Sequence, residues 1–151
     1  MTTLTKKIIV GVIVVLLLVV TALAAVLIGA GLYGWKAAQR AGNEAATLQN
    51  LKTIAAVEIQ YYNTHSQTFG TLDQLIKENM LTSKFSGNPA VADGYFFRLN
   101  IIMRRTSAQP ASYTLNADPQ STATGQNHFY IDANSASIHV NPNQPAGASD
   151  P

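Results

Sequence analysis

The chain has 151 residues, a formal net charge of +2 and no cysteine, and 12% of its residues are charged. The lack of cysteine excludes disulfides, thiolate metal sites, cysteine nucleophiles and covalent haem attachment. The few basic residues are scattered along the chain, which argues against nucleic acid as a partner.

The most prominent feature is an apolar run, Ile8–Tyr33, and no charged residue lies between Lys7 and Lys36. A hydrocarbon core about 30 Å thick needs about 20 apolar helical residues to cross it, so the run is long enough to span a bilayer. We predict a transmembrane helix over residues 8–35, preceded by a cytoplasmic tail over residues 1–7. About 110 residues then remain, which is enough for one small domain.

A cleaved signal peptide is the alternative interpretation of the same run. Lys6 and Lys7 provide a basic n-region, and Ala22-Leu23-Ala24 has the small-x-small form of a cleavage site. Cleavage there would leave an apolar N-terminus, because hydrophobic residues continue through Leu32. We therefore favour a retained, single-pass anchor.

Basic and aromatic side chains at the ends of the run indicate where the helix would meet the membrane surface. The basic residues at the two ends balance, so the positive-inside rule does not fix the orientation. We expect the arrangement usual for such an anchor in an inner membrane, with a cytoplasmic N-terminus and a periplasmic or extracellular C-terminal domain. The predicted interface residues are Lys6, Lys7, Tyr33, Trp35 and Lys36.

An amphipathic helix is predicted over residues 36–63, where apolar side chains recur at spacings of three and four. These side chains are Leu48, Leu51, Ala55, Ile59 and Tyr62. A loop, Asn63–Gly70, should follow, because the segment is rich in turn-forming residues. Thr71 and Gln74 then have the spacing of a capping box, which predicts a short helix over residues 71–79.

An antiparallel meander is predicted over residues 94–140, where short stretches alternate between apolar and polar residues. The fold class is therefore α+β, with one face of the sheet covered by the amphipathic helix. Residues 141–151 hold three prolines and no large apolar residue, and we expect a flexible tail. The sheet residues expected to pack on the helix are Phe97, Leu99, Tyr113, Leu115, Phe129 and Ile131.

This plan resembles that of type IV pilins and of the major pseudopilins of type II secretion. The resemblance implies a pilin-like globular domain over residues 36–140 and a non-enzymatic, structural role. It is carried by Asn43–Ala46, Leu48, Leu51–Ile54, Glu58 with Tyr61 and Tyr62, Phe69–Leu75, Tyr113–Leu115, Ala117–Pro119 and His128–Asp132.

The N-terminus departs from the family pattern. Family members carry a charged leader that is cut after a glycine, followed by a glutamate a few residues into the mature chain. Lys6–Val12 shows no such site, and the apolar run contains no glutamate. We expect either an uncleaved, anchored monomer or a homo-oligomer that assembles by packing alone. For assembly, the expected helix–helix contacts are Val14, Leu18, Val26 and Leu27.

Candidate residues for chemistry are sparse. Asp118 and Asp132 flank a loop where some pseudopilins bind calcium, but residues 120–126 add no further carboxylate. No glycine-rich phosphate loop follows a strand. The three histidines lack helix-spaced partners for zinc. We therefore expect no catalytic residue, cofactor or metal site. The histidines are His65, His128 and His139.

Two functional hypotheses follow. The first is a structural subunit that inserts its apolar helix among membrane lipids and packs with copies of itself, and with other pilin-like or envelope proteins, into a filament. The second is a monomeric, membrane-anchored module of a secretion or pilus system. In that hypothesis the loops Asn63–Gly70 and Pro119–Asn127 bind another envelope protein.

Overall fold

The structure, a computed structural model, describes residues 3–104, 106, 109–135 and 137–151, without the side chains of residues 4–6 and 8. Contacts divide the chain into two compact units, residues up to Ala38 and residues Gln39–Pro151. The elements are helices α1 (Thr3–Thr64) and α2 (Leu72–Lys77), a 3₁₀ turn (Ser83–Phe85), and strands β1 (Ala90–Ala92), β2 (Tyr95–Ile102), β3 (Ser112–Pro119), β4 (His128–Asp132) and β5 (His139–Asn141).

The predicted α+β class and antiparallel meander are confirmed. The five strands pair in the order β1-β2-β3-β4-β5, and every pair is antiparallel. Strand β1 was not predicted, because Ala90–Ala92 is too short to show an apolar alternation. The long central pair, β2 with β3, is in register from Tyr95 opposite Pro119 to Ile102 opposite Ser112.

Helix α1 begins earlier than the predicted membrane segment. It starts at Thr3 rather than Ile8, so that most of the predicted tail is helical, and it ends at Thr64, one residue beyond the predicted end. The side chain of Lys6, a predicted interface residue, lies outside the described part of the chain.

The core of the second unit lies between α1 and one face of the sheet. Of the predicted packing residues, Leu48 and Leu99 pack against this core while partly exposed, and Tyr62 is half-buried. The predicted residues that are buried in the core are Leu51, Ala55, Phe97, Tyr113, Leu115, Phe129 and Ile131.

The predicted helix face is wrong at Ile59, because the side chain of this residue is 58% exposed. The buried stripe of α1 instead runs through Thr47, Leu51, Ile54, Glu58 and Tyr61, at spacings of four and three. The two stripes share the helical period but differ in rotation about the helix axis. The apolar pattern selected Ile59 because the buried stripe contains two polar residues.

Helix α2 shows the predicted capping box. The Gln74 N–H donates to Thr71 Oγ1 at 3.3 Å, and the Thr71 N–H donates to Gln74 Oε1 at 2.8 Å. These two bonds satisfy backbone donors at the helix start. The helix ends at Lys77, two residues before the predicted end.

The C-terminal residues 141–151 are not free of the domain, in contrast to the predicted flexible tail. The Asn116 side chain donates to Ala146 O at 2.9 Å, and Ala146 is only 4% exposed. The Val140 N–H donates to Pro151 O at 2.8 Å, which covers the outer edge of β5. These polar contacts order a segment that has no large apolar side chain.

Candidate functional site

The first unit carries a long stretch of exposed apolar surface. Leu and Val side chains along α1 are about half to three-quarters exposed, as shown by Leu16 at 58% and Leu27 at 72%. A helix of this composition that is hydrophobic on all sides is typical of a membrane span. By length and apolar composition, α1 is able to cross a membrane.

The predicted assembly residues all lie on this exposed surface: Val14 is 48% exposed, Leu18 64%, Val26 68% and Leu27 72%. At 3.6 residues per turn, Val14 and Leu18 lie within about 40° of each other, whereas Leu27 lies about 180° from Leu18. The four residues therefore do not form one narrow seam. Packing through all of them requires neighbours on more than one side of the helix.

Aromatic side chains follow the apolar stretch. Tyr33 and Trp35 are 80% and 72% exposed, and Lys36 comes directly after them. Rings that are amphipathic and exposed on a helix suit the headgroup region of a bilayer. These three predicted interface residues are therefore exposed in the structure.

In the second unit, polar side chains near the start of its α1 segment hold two loops. Asn43 Nδ2 donates to Thr124 O at 2.8 Å. Asn50 Nδ2 donates to Asp93 Oδ2 at 2.7 Å, and its Oδ1 accepts from Lys84 Nζ at 2.8 Å. These bonds fix the rotation of α1 relative to the β1–β2 turn and the β3–β4 loop.

Glu58 is the unexpected residue of the core. It is 0% exposed, and its Oε2 accepts the Gly70 N–H at 2.9 Å. Its Oε1 has no hydrogen-bond partner among the described residues. Burial raises the pKa of Glu58 to about 7, although the Gly70 hydrogen bond acts in the opposite direction. A buried, half-satisfied carboxyl of this kind is a candidate for a proton-linked role.

The two aspartates considered for calcium have other partners. Asp118 accepts from Arg98 Nη1 at 2.5 Å and lies 2.6 Å from His128 Nδ1. Asp132 accepts from Tyr130 Oη at 2.9 Å and from two backbone N–H groups of the following turn at 2.8 Å. Across the described ranges, no cluster of three His, Asp or Glu side chains is arranged to hold a metal ion.

The other two histidines, His65 and His139, have different partners from His128. His65 stacks on Tyr61 and contacts Glu78, whereas His139 Nδ1 lies 2.5 Å from Asp150 O in the C-terminal segment. The structure therefore does not bring the three histidines together.

One cavity of about 440 Å³ opens beside α1 in the second unit. Ile59 lines it, which accounts for the exposure of that side chain, together with Phe69, Tyr113 and Ile131. Its charged lining residues are Lys52 and Asp132. The lining is mainly apolar, so the cavity presents an apolar surface rather than a set of reacting side chains.

Sequence reasoning missed Thr47, Asn50 and Glu58 as structural positions. A signal for Glu58 was present, because it lies four residues after Ile54 and three before Tyr61, on the line of the buried stripe. A charged residue at a buried helical position indicates a specific partner.

Comparisons with protein-family models, curated proteins and solved structures find no match to this chain.

Proposed function

We propose that this chain is a membrane-anchored, pilin-like structural subunit without enzymatic activity. Its apolar helix would insert in an inner membrane, with the α+β unit outside the cytoplasm, and would pack with copies of itself into a filament. The observation that carries the proposal is the exposed apolar surface of α1 before Ala38, in a helix that continues into a folded domain.

The spacing of charges supports the membrane assignment. Lys7 and Lys36 are 29 residues apart, which is about 43 Å along a helix. A bilayer with its headgroups is about 40–45 Å thick. Both lysines would therefore reach headgroups while the apolar residues between them occupy the hydrocarbon core.

The Leu18→Lys substitution tests the proposal. A charge at the centre of the span costs roughly 2.5–3.5 kcal/mol on an insertion scale, so we expect less membrane retention and loss of assembly. Gln39→Lys is the matched control, since it adds the same charge to an exposed position of the same helix beyond the apolar run. Membrane retention and assembly that are unchanged in Leu18→Lys would contradict the proposal.

The ordered β3–β4 loop favours the second candidate, a monomeric, anchored module that binds another envelope protein. The β3–β4 loop is held by Asn43 and Glu44, and a loop ordered before binding loses less entropy on binding. This candidate predicts that a fragment from Gly42 onward binds the same envelope protein as the full chain. A fragment without such a partner would count against it.

A further inference from the structure

The loop Asn63–Gly70, which begins in the last turn of α1 and leads to α2, holds an unfavourable backbone conformation. Ser66 and Gln67 are consecutive non-glycine residues with positive φ angles of 52° and 60°. Each L-residue in the left-handed region costs roughly 1–2 kcal/mol. Contacts elsewhere in the loop must therefore hold it closed.

The first such contact is the hydrogen bond from the Gly70 N–H to Glu58. A Cβ on Gly70 would lie 3.0 Å from Leu75 Cδ2 and 3.2 Å from the Tyr61 ring. The end of the loop thus fits tightly into the core, with its amide directed at a fully buried carboxyl. Because Glu58 Oε1 has no partner among the residues described, ionisation would leave a buried charge with a single donor.

The second contact is made by His65, at the start of the loop. Its ring stacks on Tyr61 at a centroid distance of 3.8 Å and an interplanar angle of 3°. Its Nε2 lies 3.1 Å from Glu78 Oε1, just beyond α2. This contact is an ion pair only when the imidazole is protonated.

We propose that the loop Asn63–Gly70 is a proton-controlled latch, closed when Glu58 is neutral and released when Glu58 loses its proton. The two contacts lie at opposite ends of the loop, and ionisation of Glu58 would place a buried charge with a single donor at the Gly70 end. The left-handed residues between them store the conformational energy that favours release.

The groups around the latch keep it responsive to the proton on Glu58. Glu58 faces Tyr61 on α1 and Tyr113 on β3. The negative charge of Glu78, at the end of α2, also raises the pKa of Tyr61. Burial raises the pKa of Tyr61, and it raises that of Tyr113 to about 12. The negative charge of Asp132 on β4 also raises the pKa of Tyr113. Both tyrosines therefore stay neutral near pH 7 and add no charge beside Glu58.

The sign follows from the pKa of Glu58. The carboxyl has a pKa of about 7 in the closed loop and its ordinary value of 4.5 once water reaches it. Between these values the closed form binds more protons, so opening becomes more favourable as pH rises through this window and levels off above about pH 7. The latch lies within residues 39–151 and does not depend on how copies of the chain pack.

Amide hydrogen exchange on the full chain in detergent, followed at Gly70 from about pH 5 to pH 7.5, tests the latch. After correction for intrinsic exchange, we expect the Gly70 opening constant to increase on the order of a hundredfold. Gly70 should exchange faster than Leu115, which lies in the centre of the sheet and reports global unfolding. Exchange of Gly70 at the Leu115 rate, or independent of pH, would overturn the proposal.

Two variants separate the contacts. Glu58→Gln keeps an acceptor for the Gly70 N–H but does not titrate, so the pH dependence of Gly70 exchange should be lost. Glu78→Gln removes the partner of His65 and should leave most of the pH dependence intact. If Glu58→Gln does not fold, a ¹³C titration of the wild-type carboxyl decides, because a pKa near 4.5 would overturn the proposal.

Discussion

Glu44 on helix α1 accepts three hydrogen bonds from the end of the β3–β4 loop, two of them from Asn127. Its Oε2 accepts from the Asn127 side-chain amide at 2.7 Å, and its Oε1 accepts from the N–H groups of Asn127 and Gln126 at 3.3 and 2.8 Å.

Glu44→Gln should destabilise the second unit by about 1.5–3 kcal/mol, because charge-assisted bonds are lost and one oxygen is replaced by a donor facing Asn127. Denaturant unfolding followed by far-UV circular dichroism measures the change in the free energy of unfolding. Asp73→Asn is the control, since it removes the same charge from an exposed position and should change stability by less than about 0.5 kcal/mol. Equal effects of the two substitutions would contradict a stabilising role for the hydrogen bonds that Glu44 accepts.

Ile54→Ala and Ile59→Ala test the orientation of α1. Ile54 is 0% exposed in the core, and its truncation should cost about 2–4 kcal/mol through lost burial and a cavity. Ile59 is 58% exposed, so the same truncation should cost less than about 1 kcal/mol. Thermal unfolding of both variants measures the contrast, and a larger loss for Ile59→Ala would reverse the assigned helix face.

These two isoleucines also show which features of the fold could be predicted from the sequence and which could not. The period of α1 was readable from the apolar residues, but its rotation depends on the polar Thr47 and Glu58, which are buried only because the sheet and the 63–70 loop surround them. The capping box at Thr71 was predictable because its two partners are three residues apart. The ordering of residues 141–151 was not, because it depends on side chains such as Asn116 that are distant in sequence.

Gly125→Ala should be strongly destabilising. A Cβ at this position would overlap the hydroxyl of Tyr95, which donates to Asn127 O at 3.0 Å. Relieving the overlap would displace Tyr95 from the core at a cost of about 1–3 kcal/mol. Gly42→Ala, at a helical position with nothing within 4 Å, should instead stabilise the chain by about 0.5–1 kcal/mol. Melting temperatures that change in the same direction would contradict this account.

The buried carboxyl predicts a pH-dependent stability. Because the pKa of Glu58 is raised from 4.5 to about 7, its contribution is fully present below pH 4.5 and is lost as pH rises to about 7. The difference in unfolding free energy between wild type and Glu58→Gln should change by roughly 3 kcal/mol between pH 4.5 and about pH 8, in favour of the variant at high pH. Denaturant unfolding at both pH values measures it, and a constant difference would show an exposed carboxyl.

The most direct test of the structural-subunit proposal is the N-terminal sequence and intact mass of the native protein in membranes and in sheared extracellular material. A membrane-anchored structural subunit should be present in both fractions, with the apolar run Ile8–Tyr33 retained in each. Protein confined to membranes would favour the anchored module instead. Soluble protein that begins near Ala25 would contradict the account, because the apolar run would then be a cleaved signal peptide.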